Sequence, residues 1–82
     1  MNIIRYPLQT EKAIRLMETE NKLIFVVERL AKKPEIKKAI EERFKVKILK
    51  VRTHVIGSEK RAIVTLSPEN PARDISTELG LM

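Results

Sequence analysis

Three basic side chains alternate along one short stretch of the sequence, at Lys50, Arg52 and His54. Residues two apart in a β-strand point to the same face, so this spacing predicts a row of hydrogen-bond donors on one side of a strand. Such donors commonly bind the phosphate oxygens of nucleic acids. For His54 the alternative is a half-exposed strand residue without a ligand, and the pattern leaves both interpretations open.

A second basic pair, Lys60-Arg61, closes the segment Gly57-Ser58-Glu59-Lys60-Arg61. Strand patterns flank this segment on both sides, so it is predicted to be a five-residue hairpin turn. Two cations at the tip of a hairpin can neutralise two phosphates. Their alternative role is protection of the sheet, because charged side chains deter association between strands.

The charge balance of the chain favours an anionic partner. Lys and Arg number 17 against 11 Asp and Glu, which gives a net charge of +6. Residues 29–61 alone hold 12 basic and 4 acidic side chains. This local excess indicates nucleic acid or an anionic membrane surface, the alternative being a basic surface that has no partner.

The aromatic residues narrow the kind of nucleic-acid contact. They are Tyr6, Phe25 and Phe44, and both phenylalanines fall in apolar patterns typical of a core. Proteins that bind single-stranded bases need a platform of exposed rings, which this composition does not offer. The sequence therefore favours contacts with phosphates and with the shape of folded RNA.

Catalytic and metal-binding constellations are not indicated. The chain has no cysteine and one histidine, which excludes thiol catalysis, disulfides and Cys or His metal clusters. Gly-rich phosphate loops and nucleophile motifs are missing as well. The adjacent carboxylates Glu41 and Glu42 are predicted to lie on a solvated helix face rather than to form an acid–base pair. We therefore expect no enzymatic activity, no cofactor, no metal and no small-molecule substrate.

The length of 82 residues predicts one domain over residues 1–82. Such a chain buries about 60–65% of the surface that its unfolded form exposes, which suffices for one modest core. Its apolar runs are far shorter than the ~20 residues that span a bilayer, and residues 1–5 lack a signal-peptide pattern. We expect a cytoplasmic protein that does not insert into membranes.

Periodicity in the first half of the chain predicts two strands and two helices. A short strand at Ile3–Arg5 is followed by a helix over Thr10–Glu20, with the Thr10 hydroxyl as its cap and Glu11 in its first turn. The run Leu23–Val27 is apolar at every position, as in a strand covered on both faces. A second helix begins near Pro34 and carries an apolar stripe at Ile36, Ala39, Ile40 and Phe44.

The second half predicts a hairpin and a third helix. In the long strand Val46–Ile56, alternation divides the residues into one face with Leu49, Val51, Thr53 and Val55 and another with Ile48, Lys50, Arg52, His54 and Ile56. Ala62–Leu66 is the return strand. In the third helix Asn70 is the predicted cap, Pro71 the first residue, Ala72, Ile75 and Leu79 the apolar stripe, and Gly80 the stop. The resulting order, β-α-β-α-β-β-α, indicates an α+β fold.

Several of these segments together resemble the large-subunit ribosomal protein family twenty-three, and the likeness covers nearly the whole chain. Pro7-Leu8-Gln9-Thr10-Glu11-Lys12-Ala13 is similar to the opening of that family, and Asn21–Val27 to its first long strand. Ile36–Ile40 and Phe44–Val46 resemble its central helix and the exit from it. Its best signature, two basic residues followed by a strand, is matched by Lys60–Leu66. Arg52-Thr53 stands where the family commonly has Asn-Thr, although Arg is the stronger phosphate donor.

The resemblance implies a fold, a location and partners. The fold is a four-stranded antiparallel sheet with helices on both faces. The location is the exit of the peptide tunnel, where the family binds large-subunit rRNA beside ribosomal protein twenty-nine. We expect the rRNA contacts at Lys12, Lys50, Arg52, His54, Lys60 and Arg61. Glu11 matches the family's contact for factors that meet the nascent chain, and its other interpretation is a carboxylate that favours the helix dipole.

The details of the resemblance favour an archaeal member. The ending Asn70–Met82 is similar to archaeal and eukaryotic members, and neither the long bacterial hairpin loop nor the eukaryotic basic extension is present. Bacterial members dock trigger factor, which archaea lack, so Glu11 is expected to meet signal recognition particle or a nascent-chain-associated complex. The abundance of Glu, Lys and Arg hints at a heat-loving source.

Two functions of other classes remain as alternatives from the residues alone. One is a free-standing regulator of α+β type that binds RNA or DNA outside any ribosome. The other is a small metabolic enzyme or its regulatory ligand-binding domain, which would need a convergent polar pocket. Sedimentation with large ribosomal subunits distinguishes the three.

Overall fold

Four antiparallel strands form one sheet and three helices pack around it in a computed structural model that describes residues 3–78. The elements are β1 (Ile4–Pro7), α1 (Glu11–Glu20), β2 (Lys22–Val27), α2 (Lys33–Phe44), β3 (Ile48–Ile56), β4 (Glu59–Leu66) and α3 (Ala72–Glu78). The strands lie in the order β1-β2-β4-β3. The α+β class and the order β-α-β-α-β-β-α are thus confirmed. The predicted stripe residue Leu79 and stop Gly80 lie outside the described residues.

The main core cluster lies on one side of the sheet, which we call the core face, and on the other side Ile24 and Val26 of β2 are also buried. Leu23, Phe25 and Val27 of β2 point to this face, and the register pairs Leu23 with Val64 and Phe25 with Ala62 of β4. All five side chains are buried. Burying a large aliphatic or aromatic side chain stabilises a fold by about 1.5–3 kcal/mol, so this cluster dominates the stability of the sheet.

All three helices contribute to this core. Ile36 and Ile40 of α2 are fully buried, Met17 of α1 joins the same cluster, and so does Ile75 of α3. The ring of Phe44 at the end of α2 stacks on Phe25, with 6.1 Å between the ring centroids. The predicted stripe of the second helix therefore faces the sheet, and Phe25 is a core residue as expected.

The first helix begins as the sequence predicts. The Thr10 hydroxyl accepts a hydrogen bond from the backbone N–H of Ala13 at 3.1 Å, and Glu11 stands in the first turn. The helix ends at Asn21, whose φ of 55° and ψ of 41° place it in the left-handed region. Asn tolerates this conformation better than most residues, so it ends the helix without a glycine.

The alternation predicted for the long strand fails at its start. Ile48 pairs with Leu66 and is buried in the core, whereas Lys50 pairs with Thr65, and the register shifts between them. This irregularity is a β-bulge that leaves Leu49 as the extra residue, 56% exposed. Ile48 therefore lies on the core face and not beside Lys50, which corrects the predicted division. From Lys50 to Ile56 the alternation holds.

The hairpin turn is shorter than predicted. Ile56 pairs with Glu59, Val55 with Lys60 and His54 with Arg61, so only Gly57 and Ser58 connect the strands. Gly57 has a φ of 62°, a conformation that glycine adopts without steric cost. The prediction of a five-residue turn was wrong. Glu59, Lys60 and Arg61 are polar, but they continue the strand because their partners on β3 offer backbone hydrogen bonds.

The cap of the third helix is not the predicted one. Asn70 Oδ1 accepts a hydrogen bond from the backbone N–H of Lys47 at 2.8 Å and does not cap α3. The N–H of Ala72, the first residue of α3, donates instead to Asn21 Oδ1 at 2.6 Å. Sequence-local capping rules miss this arrangement because the capping residue comes from the end of another helix.

Candidate nucleic-acid interface

The side of the sheet opposite the core carries the predicted basic row, and we call it the open face. Its side chains come from Lys50, Arg52 and His54 of β3 and from their partners on β4, which are Thr65, Ile63 and Arg61 respectively. Directly opposed side chains in an antiparallel pair lie about 4.5–5.5 Å apart. His54 and Arg61 are therefore neighbours, and Arg52 stands one row away on the same face.

A groove on the open face brings four of the six predicted rRNA-binding residues together. It has a volume of about 380 Å³ and is lined by Arg52, His54 and Arg61 from the sheet and by Lys12 from the first turn of α1. Lys50 lies on the same strand face, beyond the groove, in the row next to Arg52. The groove therefore collects basic side chains from α1 and from the β3–β4 hairpin, which lie about 40 residues apart in the sequence.

Most of these cations are available to an external anion. Lys12, Lys50 and Arg52 are exposed and form no ion pair with any of residues 3–78. His54 is exposed as well. Exposed cations keep most of their hydration, so they destabilise the fold little, and they can exchange water for phosphate oxygens.

Arg61 differs because it is already engaged. Its Nε donates to Glu59 Oε2 at 2.6 Å, and the Tyr6 hydroxyl donates to Glu59 Oε1 at 3.2 Å. The hydrogen bond from Arg61 holds the pKa of Glu59 below its ordinary value, with attraction between the two charges and the Tyr6 hydroxyl adding to the effect. The terminal nitrogens of Arg61 make no hydrogen bond within the part of the chain described here, so they remain free to donate.

The structure separates Lys60 from the other five predicted residues. Lys60 pairs with Val55 and Val27, on the core face, so its side chain points away from that of Arg61. Its Nζ donates to the backbone carbonyl of Ala31 at 2.6 Å. Lys60 thus holds the loop that precedes α2, and the expectation that both cations project from a hairpin tip is wrong.

Glu11 and Lys12 diverge around the start of α1. Lys12 lines the groove, whereas Glu11 does not, in keeping with the turn of about 100° between consecutive helical residues. The Glu11 side chain is 90% exposed, and its one ion pair within residues 3–78 is with Arg15 at 3.4 Å. An exposed pair of this kind contributes little to stability, so the structure does not require a carboxylate at this position.

The acidic pair on the second helix is not uniformly solvated. Glu41 Oε2 accepts a hydrogen bond from the backbone N–H of Ile48 at 3.0 Å, which fixes the entry to β3, while Glu42 is exposed. The pair therefore has a structural use, and the prediction of a solvated Glu41 was wrong. No group of His, Asp and Glu within residues 3–78 could hold a metal ion. No helix among these residues has the length and apolar character to cross a membrane.

Sequence reasoning missed two features of the open face. The first is Tyr6, which pairs with Val26, is 49% exposed and reaches Glu59 across the face. The register of β1 shifts between Ile4 and Tyr6, so simple alternation does not predict which way the Tyr6 side chain points. The second is an apolar floor in the groove, to which Ile24 and Ile63 contribute. Alternation in β2 was the available signal, since Ile24 is out of phase with Leu23 and Phe25.

Comparison with known proteins gives one consistent result. The family model described as Ribosomal protein L23 matches residues 2–73. Three archaeal relatives are each named Large ribosomal subunit protein uL23. The protein of Caldivirga maquilingensis is 49% identical over 81 residues, covering 98% of this chain and 93% of that protein. The protein of Halobacterium salinarum is 42% identical, with coverages of 98% and 96%, and that of Picrophilus torridus is 41% identical, with coverages of 99% and 99%.

Proposed function

The chain belongs to the ribosomal protein L23 family, and we propose that it binds large-subunit rRNA through the open face of its sheet. As a member of this family it is a structural component of the large ribosomal subunit and not an enzyme. The proposal concerns how the chain is held there and which of its residues contact the RNA.

One observation supports the proposal above all others: the groove brings Lys12 of α1 together with Arg52, His54 and Arg61 of the β3–β4 hairpin. Lys50 extends the same cationic surface along β3. Phosphates of a folded RNA are spaced a few ångströms apart along each strand, so a surface with several donors can engage several phosphates at once. Lys60 points to the core face and would have to contact a different segment of the RNA.

The proposed position on the ribosome rests on the family resemblance. We propose that the chain lies at the exit of the peptide tunnel beside ribosomal protein twenty-nine, with Glu11 exposed to visiting factors. The near-complete exposure of Glu11 supports this assignment, because its weak, exposed ion pair with Arg15 can be exchanged for a cationic partner. We propose signal recognition particle or a nascent-chain-associated complex as that partner, as the resemblance to an archaeal member implies.

Sedimentation tests the proposed rRNA contact directly. The wild-type protein should travel with large subunits through a sucrose gradient in high salt. The double variant Lys50→Glu/Arg52→Glu should shift to the light fractions, because two repulsive charges would then face the phosphates. The matched control is Lys37→Glu/Lys38→Glu, which reverses two exposed charges on the outer side of α2. If the control variant left the large-subunit fractions and Lys50→Glu/Arg52→Glu stayed in them, the RNA contact would lie on α2 and the proposal would be contradicted.

A further inference from the structure

The groove on the open face has an apolar floor inside its basic rim. Ile24 and Ile63 lie side by side in the register of β2 and β4, and Ile56 lines the same groove from the end of β3. Ile56 is 47% exposed. Phosphate oxygens need hydrogen-bond donors, which isoleucine side chains do not have. Contacts with phosphates alone therefore leave the floor of the groove without a use.

We propose that this groove binds one nucleotide extruded from a folded RNA, with its base on the isoleucine floor and its phosphate at the basic rim. The inference rests on the proposed rRNA-binding function and gives that function a specific ligand chemistry. Every nucleobase has an apolar face that packs against flat or apolar surfaces. In folded RNA such bases become accessible in bulges and loops, where they are not stacked in a helix.

The dimensions of the groove suit a ligand of this size. Its volume of about 380 Å³ falls within the range of about 300–1,000 Å³ that is typical of small-molecule sites. A regular RNA duplex presents a continuous backbone that does not enter a concave site of this kind. One nucleotide turned outward from a bulge does enter it and brings its phosphate to the edge.

The charges around the groove fit a nucleotide as well. Arg52 is the strand partner of Ile63, so a guanidinium stands directly beside the floor. A guanidinium can stack on a base through its plane or donate two parallel hydrogen bonds to a phosphate. Lys12 adds a cation from α1, and no acidic side chain within residues 3–78 lines the groove. The site therefore combines an apolar surface with an anion-binding edge.

Two RNA probes test this inference. One is a hairpin duplex that carries a single bulged 2-aminopurine nucleotide, and the other is the same duplex with the 2-aminopurine paired. The bulged RNA should bind about tenfold more tightly at equal salt, a gain that burial of about 55 Å² of apolar surface between base and floor would supply. Its fluorescence should change on binding, whereas that of the paired probe should not. Free AMP provides a third arm, and it should bind far more weakly than either RNA because it contributes few phosphate contacts.

Variants of the floor separate the nucleotide site from general phosphate binding. Ile63→Ser should reduce the preference for the bulged RNA to twofold or less while leaving the affinity for the paired duplex unchanged. Ile56→Ser, at a more exposed position, should act in the same direction and guards against loss of folding in the first variant. Val55→Ser is the matched control, since Val55 is half-exposed on the core face of the same strand. It should leave the preference at tenfold.

The possible results are distinct. Equal affinities for the two RNAs, with both still weakened by salt, would overturn the nucleotide site and leave the proposed rRNA binding intact. Failure of both RNAs to bind would overturn both. AMP binding as tight as that of the bulged RNA would assign the groove to a free nucleotide and overturn the RNA inference. A preference unchanged by both Ile63→Ser and Ile56→Ser would show that the base does not contact this floor.

Discussion

The side chain of Asn21 caps a helix that begins 51 residues later, since its Oδ1 accepts a hydrogen bond from the backbone N–H of Ala72 at 2.6 Å. Its Nδ2 lies 3.2–3.3 Å from the carbonyl oxygens of Leu66, Ser67 and Asn70. The same residue ends α1 in the left-handed conformation. One amide therefore connects the end of the first helix, the end of β4 and the start of α3.

Replacement of this amide should destabilise the whole fold. Asn21→Ala is expected to lower the free energy of unfolding by about 2–3 kcal/mol, because it removes a helix cap and strains a left-handed backbone. Asn21→Gly keeps the backbone conformation without strain, so it should cost about 1–2 kcal/mol from the lost hydrogen bonds of the amide. Urea denaturation followed by circular dichroism measures both. Equal losses in the two variants would remove backbone strain from the explanation.

The open face should give RNA binding a strong dependence on salt. Each neutralised phosphate adds roughly 0.7–0.9 to the slope of log affinity against log salt concentration, so five contacts predict a slope of about −4. Lys50→Ala/Arg52→Ala should make the slope shallower by about 1.4–1.8 for a fragment of large-subunit rRNA. Fluorescence anisotropy between about 50 and 500 mM salt, one decade of range, provides the measurement. The control Lys37→Ala/Lys38→Ala should keep the wild-type slope, and a flat wild-type profile would exclude a phosphate-binding surface.

Lys60 and Arg61 should have separable effects although they are adjacent in sequence. Lys60→Met keeps the aliphatic stem and removes the hydrogen bond to Ala31, so it should cost about 1–2 kcal/mol of stability with little change in RNA affinity. Arg61→Ala should weaken RNA binding about fivefold to tenfold. Its cost in stability should be smaller than that of Lys60→Met, because the ion pair with Glu59 that it removes is partly exposed. Thermal unfolding and anisotropy on the same samples compare the two effects. A large loss of affinity in Lys60→Met would assign Lys60 to the RNA contact after all.

The pKa of Glu59 should report on Arg61. Because the hydrogen bond from Arg61 lowers this pKa in the folded protein, the interaction stabilises the fold at pH values above the ordinary glutamate pKa. The stabilisation should be lost as the pH falls through the lowered pKa. In Arg61→Gln the pKa of Glu59, followed by NMR of its side-chain carboxyl carbon, should rise towards the ordinary value, and Tyr6→Phe should cause a smaller rise. RNA that competes for Arg61 should raise it too. A Glu59 pKa that is insensitive to Arg61→Gln would contradict the assigned cause.

Glu11 should matter for visiting factors but not for assembly. Glu11→Ala is expected to leave incorporation into large subunits unchanged and to cost only a few tenths of a kcal/mol of helix stability. The same variant should weaken binding of a nascent-chain factor to intact ribosomes, and Glu11→Lys should weaken it further because a like charge replaces an attraction. Glu18→Ala and Glu18→Lys, two turns along the same exposed side of α1, serve as controls. Unchanged factor affinity in both Glu11 variants would leave Glu11 as a helix-terminal carboxylate only.

The elements of the fold were predictable because local signals determine them. Thr10, Pro34 and the uninterrupted apolar run of β2 act within a few residues, and the structure follows them closely. The missed features depend on partners distant in sequence. The cap of α3 comes from Asn21, and the bulge at Leu49 depends on how Ile48 fits against Leu66. Both features depend on how distant segments pack together, and a single sequence does not contain that information directly.

The basic row was predictable in part, because alternation along a strand is also a local signal. Strict alternation holds from Lys50 to His54, so these three residues share a face as expected. Lys60 was misplaced because the turn is two residues long, and a shift in the boundary of a strand changes which neighbours share a face. The contribution of Lys12 to the groove depends on where α1 lies relative to the sheet. That Lys12 and Arg52 line the same groove could therefore be seen only in the structure.

The bulge in β3 also affects how readily the unassembled protein aggregates. β3 is an edge strand with half-exposed Val55 and Ile56, and a long flat edge of this kind invites pairing with a second copy. Leu49 interrupts the ladder and bends the strand, while Lys50 and Arg52 would repel the same cations on an approaching identical edge. The same cations that we propose for phosphate binding should therefore also protect a newly synthesised copy against edge-to-edge aggregation.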